Sequence, residues 1–331
     1  MGNAIDSTRM RKAVLLYNER SGGGRIDRHP ELRRGLQLLR DAGVEATLKV
    51  TASSDDAAEQ ARRAVLDGAD AILACGGDGT IHDVLQGMAG TRVALGVVPI
   101  GTANALAHDL KLPLDPVHAI RATLDADHKR VAVGLVEFTD FEGRTQKCYF
   151  TVAVGIGVDA HLFYKLHHGV KQRLGMGAYY AKAWQLWFTH RMQYFAVRCG
   201  SKSEDLPPIL ATEMLAVRIR NFGGVIRELA PGASLDRDDL RIVLCQTSSR
   251  LSYLAYVTRG LLGLNWNIRG VDLQHSERVL CDYSSQSPNG NPSGKEKVYV
   301  EADGELIGTL PAQITMVPDA LTLLVPAKKA D

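Results

Sequence analysis

The first 130 residues alternate short apolar runs with helix-patterned segments, and this alternation narrows the fold more than any other feature of the chain. Ala13–Tyr17 (AVLLY) is uninterrupted, as in a strand buried on both faces of a parallel sheet. Pro30–Ala42 then carries Leu32, Leu36, Leu38 and Leu39 at near-helical spacing. Val44–Val50 alternates as a strand, and Asp55–Leu66 reads as an alanine-rich helix with Ser53, Ser54 or Asp55 as cap. Strands at Ala69–Cys75 and Val93–Val98 and helices at Ile81–Met88 and Asn104–Leu110 continue the series. The order predicts an α/β N-terminal domain built on a doubly wound parallel sheet, with ligands at the carboxyl ends of its strands.

After Arg130 the texture changes. Strands are expected at Val131–Phe138, Lys147–Val154, Tyr194–Cys199, Glu213–Arg220, Leu240–Gln246, Val271–Leu280, Val298–Ala302 and Ile314–Val317. Only two helical segments interrupt them, Ala160–His190 and Leu251–Leu262, so a mainly antiparallel β C-terminal domain follows. The expected division is 1–129 and 130–331, with the extreme C-terminus packing back on the first domain. Tyr283–Lys297 is polar and rich in Pro, Gly and Ser, and reads as a mobile loop.

Composition removes several classes. The 331 residues carry 39 basic and 37 acidic side chains, a net charge of +2 that argues against nucleic acid as a partner. Five cysteines stand singly with no CxxC pair, which favours reduced thiols in a cytoplasmic protein over a metal or disulfide framework. His161, His167 and His168 lack zinc spacing. The N-terminus MGNAIDSTRMRK has no apolar stretch of the secretory kind, and Asp6 stands where myristoylation needs Ser or Thr. No apolar run reaches the roughly 18–20 residues that span a bilayer.

The chemistry concentrates at three turns that follow predicted strands. Gly76-Gly77-Asp78-Gly79-Thr80 is the sharpest: its glycines let backbone N–H groups approach an anion, and a helix N-terminus follows. A ligand-free βα turn needs neither the carboxylate nor the hydroxyl. Pro99-Ile100-Gly101-Thr102-Ala103-Asn104 follows the next strand, where its residues also suit a plain N-cap. Asn18 to Arg25 follows the first strand and also reads as a surface loop. Together the three predict a nucleotide phosphate site.

This combination resembles the diacylglycerol kinase catalytic-domain family, which includes bacterial lipid kinases and sphingosine and ceramide kinases, over nearly the whole chain. The resemblance implies ATP contacts at Asn18, Ser21 and Gly22, at Gly76, Gly77, Asp78, Gly79 and Thr80, at Gly101, Thr102 and Asn104, and at Thr51 ending the second strand. Gly155–Ala160 (GIGVDA) and Asp303-Gly304-Glu305 resemble further family signatures. Ser234–Leu240 is similar to a family turn that holds Mg²⁺, which implies Asp238 as side-chain ligand with carbonyls of Leu235 and Leu240. Glu19, Ala105 and Asp239 stand where the family usually carries Pro, Asp and Gly.

The implied activity is ATP- and Mg²⁺-dependent phosphorylation of a hydroxyl on a membrane lipid, in a cleft between the two domains. Glu305 is the expected general base, with Asp303 as a metal or hydroxyl partner and Asp78 as a second metal or acceptor contact. Asp-Gly is equally the commonest two-residue hairpin signal. Asp159 is placed at the lipid entrance. Aromatic and basic residues between Phe163 and Arg191 suit an anionic membrane surface at the inner face, or a buried helical pair with a basic edge. Arg259 to Arg269 is a weaker echo. An NAD kinase, which also uses GGDG, and a non-catalytic nucleotide- or lipid-binding module are the alternatives.

Overall fold

A computed structural model describes residues 10–24, 27–157, 192–200, 207–223, 230–262, 268–284 and 297–327. The chain divides into two compact units. The first comprises Met1–Val133, Asn221–Gly224 and Pro318–Asp331; the second comprises Gly134–Arg220 and Val225–Val317.

The first unit is an α/β layer structure. Its strands are β1 (Lys12–Tyr17), β2 (Glu45–Val50), β3 (Ala71–Gly76) and β4 (Ala94–Pro99). They lie in the order β2-β1-β3-β4, all parallel. The helices are α1 (His29–Asp41), α2 (Ser54–Leu66), α3 (Asp78–Met88), α4 (Ala105–Asp109) and α5 (Pro116–Ala122). Alternate strand residues serve two cores. Leu15, Leu73 and Val98 pack with Leu32 and Leu39 of α1 and Ile120 of α5, while Leu16, Ile72 and Val97 are buried through the opposite parity. Ser53 caps α2 by accepting the Asp56 N–H at 3.2 Å. The strand order reverses between β1 and β3, the point at which open α/β sheets bind ligands.

Strand β5 (Asp127–Thr139) starts in this unit, and Arg130 fastens it to the returning C-terminal segment. Its Nε donates to Asp319 Oδ1 at 2.8 Å, Nη1 donates to the Thr91 carbonyl at 2.6 Å, and Nη2 donates to the Asp319 carbonyl.

The second unit is mainly antiparallel. Its strands are β6 (Thr145–Phe150), β7 (Ala153–Gly157), β8 (Phe195–Gly200), β9 (Ile209–Ala211), β10 (Glu213–Val217) and β11 (Leu240–Cys245). After α6 (Arg250–Leu262) come β12 (Val271–Ser276), β13 (Arg278–Tyr283), β14 (Tyr299–Ala302) and β15 (Glu305–Val325). The path β12-β11-β10-β7-β14-β15 is antiparallel throughout. A second path runs β9-β8-β13-β15. Thr322 and Leu323 near the end of β15 pair parallel with β4 in the first unit's sheet.

Two strands expected as single runs are divided. Between β6 and β7 the N–H groups of Thr151 and Val152 leave the ladder for the Asp303 carboxylate. Between β12 and β13 the Ser276 hydroxyl accepts the Gly200 N–H at 3.0 Å and contacts the Arg278 carbonyl at 2.7 Å, so the chain changes partner strand there. Helix α5 has no counterpart in the sequence pattern, because its seven residues carry too little periodicity. Among the described residues, no helix is long and apolar enough to cross a membrane.

Candidate functional site

The three turns predicted to bind phosphate sit at the carboxyl ends of β1, β3 and β4, and side chains knit them together. Asn18 follows β1, and its backbone N–H donates to the Cys75 carbonyl of β3 at 3.1 Å. Its Nδ2 donates to Thr80 Oγ1 at 3.2 Å, and Ser21 Oγ lies 3.2 Å from the same oxygen. The Gly77 N–H reaches Ser21 Oγ at 3.4 Å. Thr80 is buried beneath this junction. Helix α3 begins at Asp78, three residues earlier than expected, so Gly79 and Thr80 belong to its first turn. The reason is Gly77, whose carbonyl accepts the Thr80 and Ile81 N–H groups and starts the helix.

The third turn lies against the second. The Ile100 N–H donates to the Gly76 carbonyl at 2.9 Å. A Cβ on Gly101 would fall 2.5 Å from Gly77 Cα, and one on Gly22 would fall 2.7 Å from the Ile100 carbonyl oxygen. Neither position has room for a side chain, so the close approach of the three turns depends on glycine. Asn104 adopts φ 49°, and instead of capping α4 its Nδ2 donates back to the Gly101 carbonyl at 2.9 Å. Asp78 Oδ1 accepts the Leu106 N–H of α4 at 3.4 Å. Thr102 is exposed beside them.

Thr51 is buried at the end of β2, where its hydroxyl donates to the Tyr17 carbonyl at 3.3 Å. Glu19 lies 2.7 Å from His29 Nε2, and the His29 ring stands edge-on to Tyr17. Burial pushes the Tyr17 hydroxyl pKa up, and it drives the Cys75 thiol further up. A buried thiol of that kind is inert.

In the second unit Asp303 and Gly304 form the turn between β14 and β15, with φ values of 48° and 83°. This is the two-residue hairpin geometry. The Asp303 carboxylate is buried and saturated. Oδ1 accepts the N–H groups of Val152 (2.8 Å) and Ala153 (3.1 Å); Oδ2 accepts the Thr151 N–H (3.0 Å) and hydroxyl (3.5 Å). Four bonds use the four lone-pair positions a carboxylate offers. Glu301, which the sequence reading missed, accepts the Gly304 N–H at 2.9 Å and lies against Gly155 of β7. Glu305 is exposed at the start of β15. Gly155 to Gly157 form the end of β7; Asp159 and the segment from Phe163 to Arg191 lie outside the described residues, as do Leu264 and Trp266.

The Leu235–Leu240 turn differs from a cation cradle. Arg218, completely buried, aims its guanidinium into the turn. Nη1 donates to the carbonyls of Arg237 (2.6 Å) and Asp239 (2.9 Å), and Nη2 reaches the Leu235 carbonyl at 3.5 Å. Asp239 is held outward by Arg237 at 2.6 and 2.5 Å and by His275 at 3.3 Å, and the Arg237 bonds lower its pKa. Of the implied ligands the Leu235 carbonyl lies 3.5 Å from this donor and Asp238 is exposed, while the Arg237 and Asp239 carbonyls between them are taken outright; with a guanidinium among these oxygens the turn does not fit Mg²⁺. Among the described residues there is also no group of three or more His, Cys, Asp and Glu side chains suited to a metal. The sequence signal for Arg218 was present as a charge inside an otherwise apolar run, Met214–Ile219.

Residues 12–136 match the family described as Diacylglycerol kinase catalytic domain. Residues 152–325 match the YegS C-terminal NAD kinase beta sandwich-like domain. A diacylglycerol kinase of Bacillus subtilis (strain 168) is 28% identical over 324 residues, covering 97% of this chain and 99% of that protein. A probable lipid kinase YegS-like of Chromohalobacter salexigens is 32% identical over 229 residues, covering 67% of this chain and 68% of its own. The crystal structure of a putative diacylglycerol kinase from Bacillus anthracis str. Sterne shares the fold with a TM-score of 0.72 at 19% identity, over 96% of this chain and 98% of that one. The chain therefore belongs to the diacylglycerol kinase catalytic-domain family, carries a YegS-type C-terminal domain and is a kinase.

Proposed function

We propose that the protein transfers the terminal phosphoryl group of ATP to a hydroxyl of a membrane lipid, of the diacylglycerol, ceramide or sphingoid type. One observation carries the reading: three strand-end turns packed so closely that Gly22 and Gly101 have no room for a Cβ, beside the first turn of α3. Such a junction presents backbone N–H groups and a helix N-terminus to a polyphosphate. Asn18, Ser21, Gly22, Thr51, Gly76, Gly77, Asp78, Gly79, Thr80, Gly101, Thr102 and Asn104 are the proposed ATP-binding set. Within it, Asn18 and Ser21 act chiefly by holding Thr80.

Magnesium bound with the nucleotide supplies charge neutralisation on the phosphates, usually through one or two carboxylates, and Asp78 is the carboxylate in this set that fits. Glu305 is the proposed general base for the acceptor hydroxyl. Being exposed at the hairpin, it is available to a substrate proton in a way that the saturated Asp303 is not. Asp303 accordingly takes the task of shaping the turn in place of the expected metal or hydroxyl contact. Asp159 remains the proposed residue at the lipid entrance, and the region from Phe163 to Arg191 the proposed membrane-facing surface, at the cytoplasmic side. Full-chain protein incubated with labelled ATP, a panel of lipids in vesicles and NAD separates the possibilities. Label in a lipid product is expected; label only in NADP, or ATP binding without turnover, overturns the proposal.

A further inference from the structure

The turn that resembles a magnesium loop is filled by a side chain of the same unit. Arg218 is 0% exposed, and its guanidinium takes the carbonyls of Arg237, Asp239 and Leu235 from one side. A divalent cation and a guanidinium serve such a turn in the same way: each gathers carbonyl oxygens that would otherwise repel one another. They cannot share it. The guanidinium is planar and fixed by its bonds, and its charge opposes a second cation among the same oxygens. Negative charge around the turn is matched within the protein, since Arg218 faces Asp238 and Asp239 while Arg237 and His275 hold Asp239. Burial lowers the Arg218 pKa only to about 10, so the group is charged at neutral pH. Asp239 in place of the usual glycine belongs to the same arrangement, because its side chain is turned outward onto Arg237.

We propose that Arg218 stands permanently in the position of a structural divalent cation, so that the Leu235–Leu240 turn is held by a guanidinium and binds no magnesium. The consequence reaches the hairpin that carries Glu305. The backbone N–H of Arg218 donates to the Val152 carbonyl at 2.9 Å, and the Val152 N–H donates to Asp303 Oδ1 at 2.8 Å. Arg218 thus ties the turn to the strand junction on which the Asp303-Gly304 hairpin rests. Its side chain is structural, and any magnesium the reaction uses then comes with the nucleotide alone. The inference does not depend on which acceptor the enzyme uses.

Thermal unfolding of the full chain without nucleotide tests it, with MgCl₂ titrated at constant ionic strength and EDTA as the zero point. A structural divalent site filled at 100 times its Kd would raise Tm by about 5–10 °C. The wild type is expected to show no such rise, and Asp238→Asn to leave the magnesium response unchanged. A magnesium-dependent rise in the wild type that Asp238→Asn abolishes overturns the proposal. Arg218→Met, which keeps volume but removes charge and donors, should lower Tm, and Arg218→Lys should retain more of it. Equal Tm values for the Lys and Met variants would also overturn it.

Discussion

Replacing Asp303 by Asn separates a turn-holding carboxylate from a reacting one. The two side chains have the same shape, and Asn tolerates the left-handed φ of 48° that Asp303 occupies. What changes is charge and one acceptor. An Asn oxygen can still take the N–H groups of Val152 and Ala153, now without charge assistance. Its NH₂ group must then face the N–H of Thr151, donor against donor. Hydrogen bonds to charged groups are worth about 1.5–3 kcal/mol and neutral ones about 1, so two weakened bonds account for roughly 1–4 kcal/mol. An orphaned buried N–H adds about 1–3 kcal/mol. The expected loss is about 2–7 kcal/mol, and a loss of even about 3 kcal/mol lowers Tm by about 6–12 °C in a unit of this size. Urea unfolding followed by circular dichroism measures the loss, and turnover per folded molecule is assayed alongside. Turnover should fall far less than stability. A variant within about 0.5 kcal/mol of wild type that has lost activity would refute the argument from saturation, and would return Asp303 to the reacting groups.

Gly101→Ala places a Cβ 2.5 Å from Gly77 Cα, backbone that cannot yield cheaply, and should weaken ATP binding at least about tenfold by calorimetry; unchanged affinity would mean the two turns do not form one cradle. Glu305→Gln should lower kcat by about 10²–10⁴ with ATP affinity retained, since general-base catalysis contributes a factor of that order, and equal kcat would remove Glu305 as the base. Asp140 in the β5–β6 hairpin is held down from 3.8 to about 2, first by the Arg144 N–H and then by its side chain. Because the folded-state value is depressed, its contribution is present above pH 3.8 and is lost as pH falls toward 2. Acid titration of the Asp140→Asn protein should lack that portion of the wild-type decline, and identical curves would count against the assignment.

How much of this was readable along the chain depends on distance. Strands β1, β3 and β4 announce themselves as apolar runs, because a parallel strand covered on both faces leaves no polar position, whereas the edge strand β2 alternates. The glycine turns are legible for a similar reason: GGDGT and PxGTxN are local patterns that follow their strands directly. The start of α3 was misplaced by three residues because Gly77 is the cap, and glycine carries no side-chain capping signal.

Asp303 shows the other case. In the sequence it sits in a turn signal beside Glu305, and nothing distinguishes a carboxylate that reacts from one that holds. Its partners, Thr151, Val152 and Ala153, lie some 150 residues earlier. Arg218 is similar, since a charge in an apolar strand signals only that something must compensate it.

Sequence alone thus determined the layer order, the three glycine-bearing strand-end turns and the family resemblance, all of which rest on contiguous residues and local periodicity. Tertiary structure decided which polar groups are spent on holding the fold. That outcome is set by long-range pairing, where a buried carboxylate or guanidinium takes whichever backbone groups the sheet leaves unpaired.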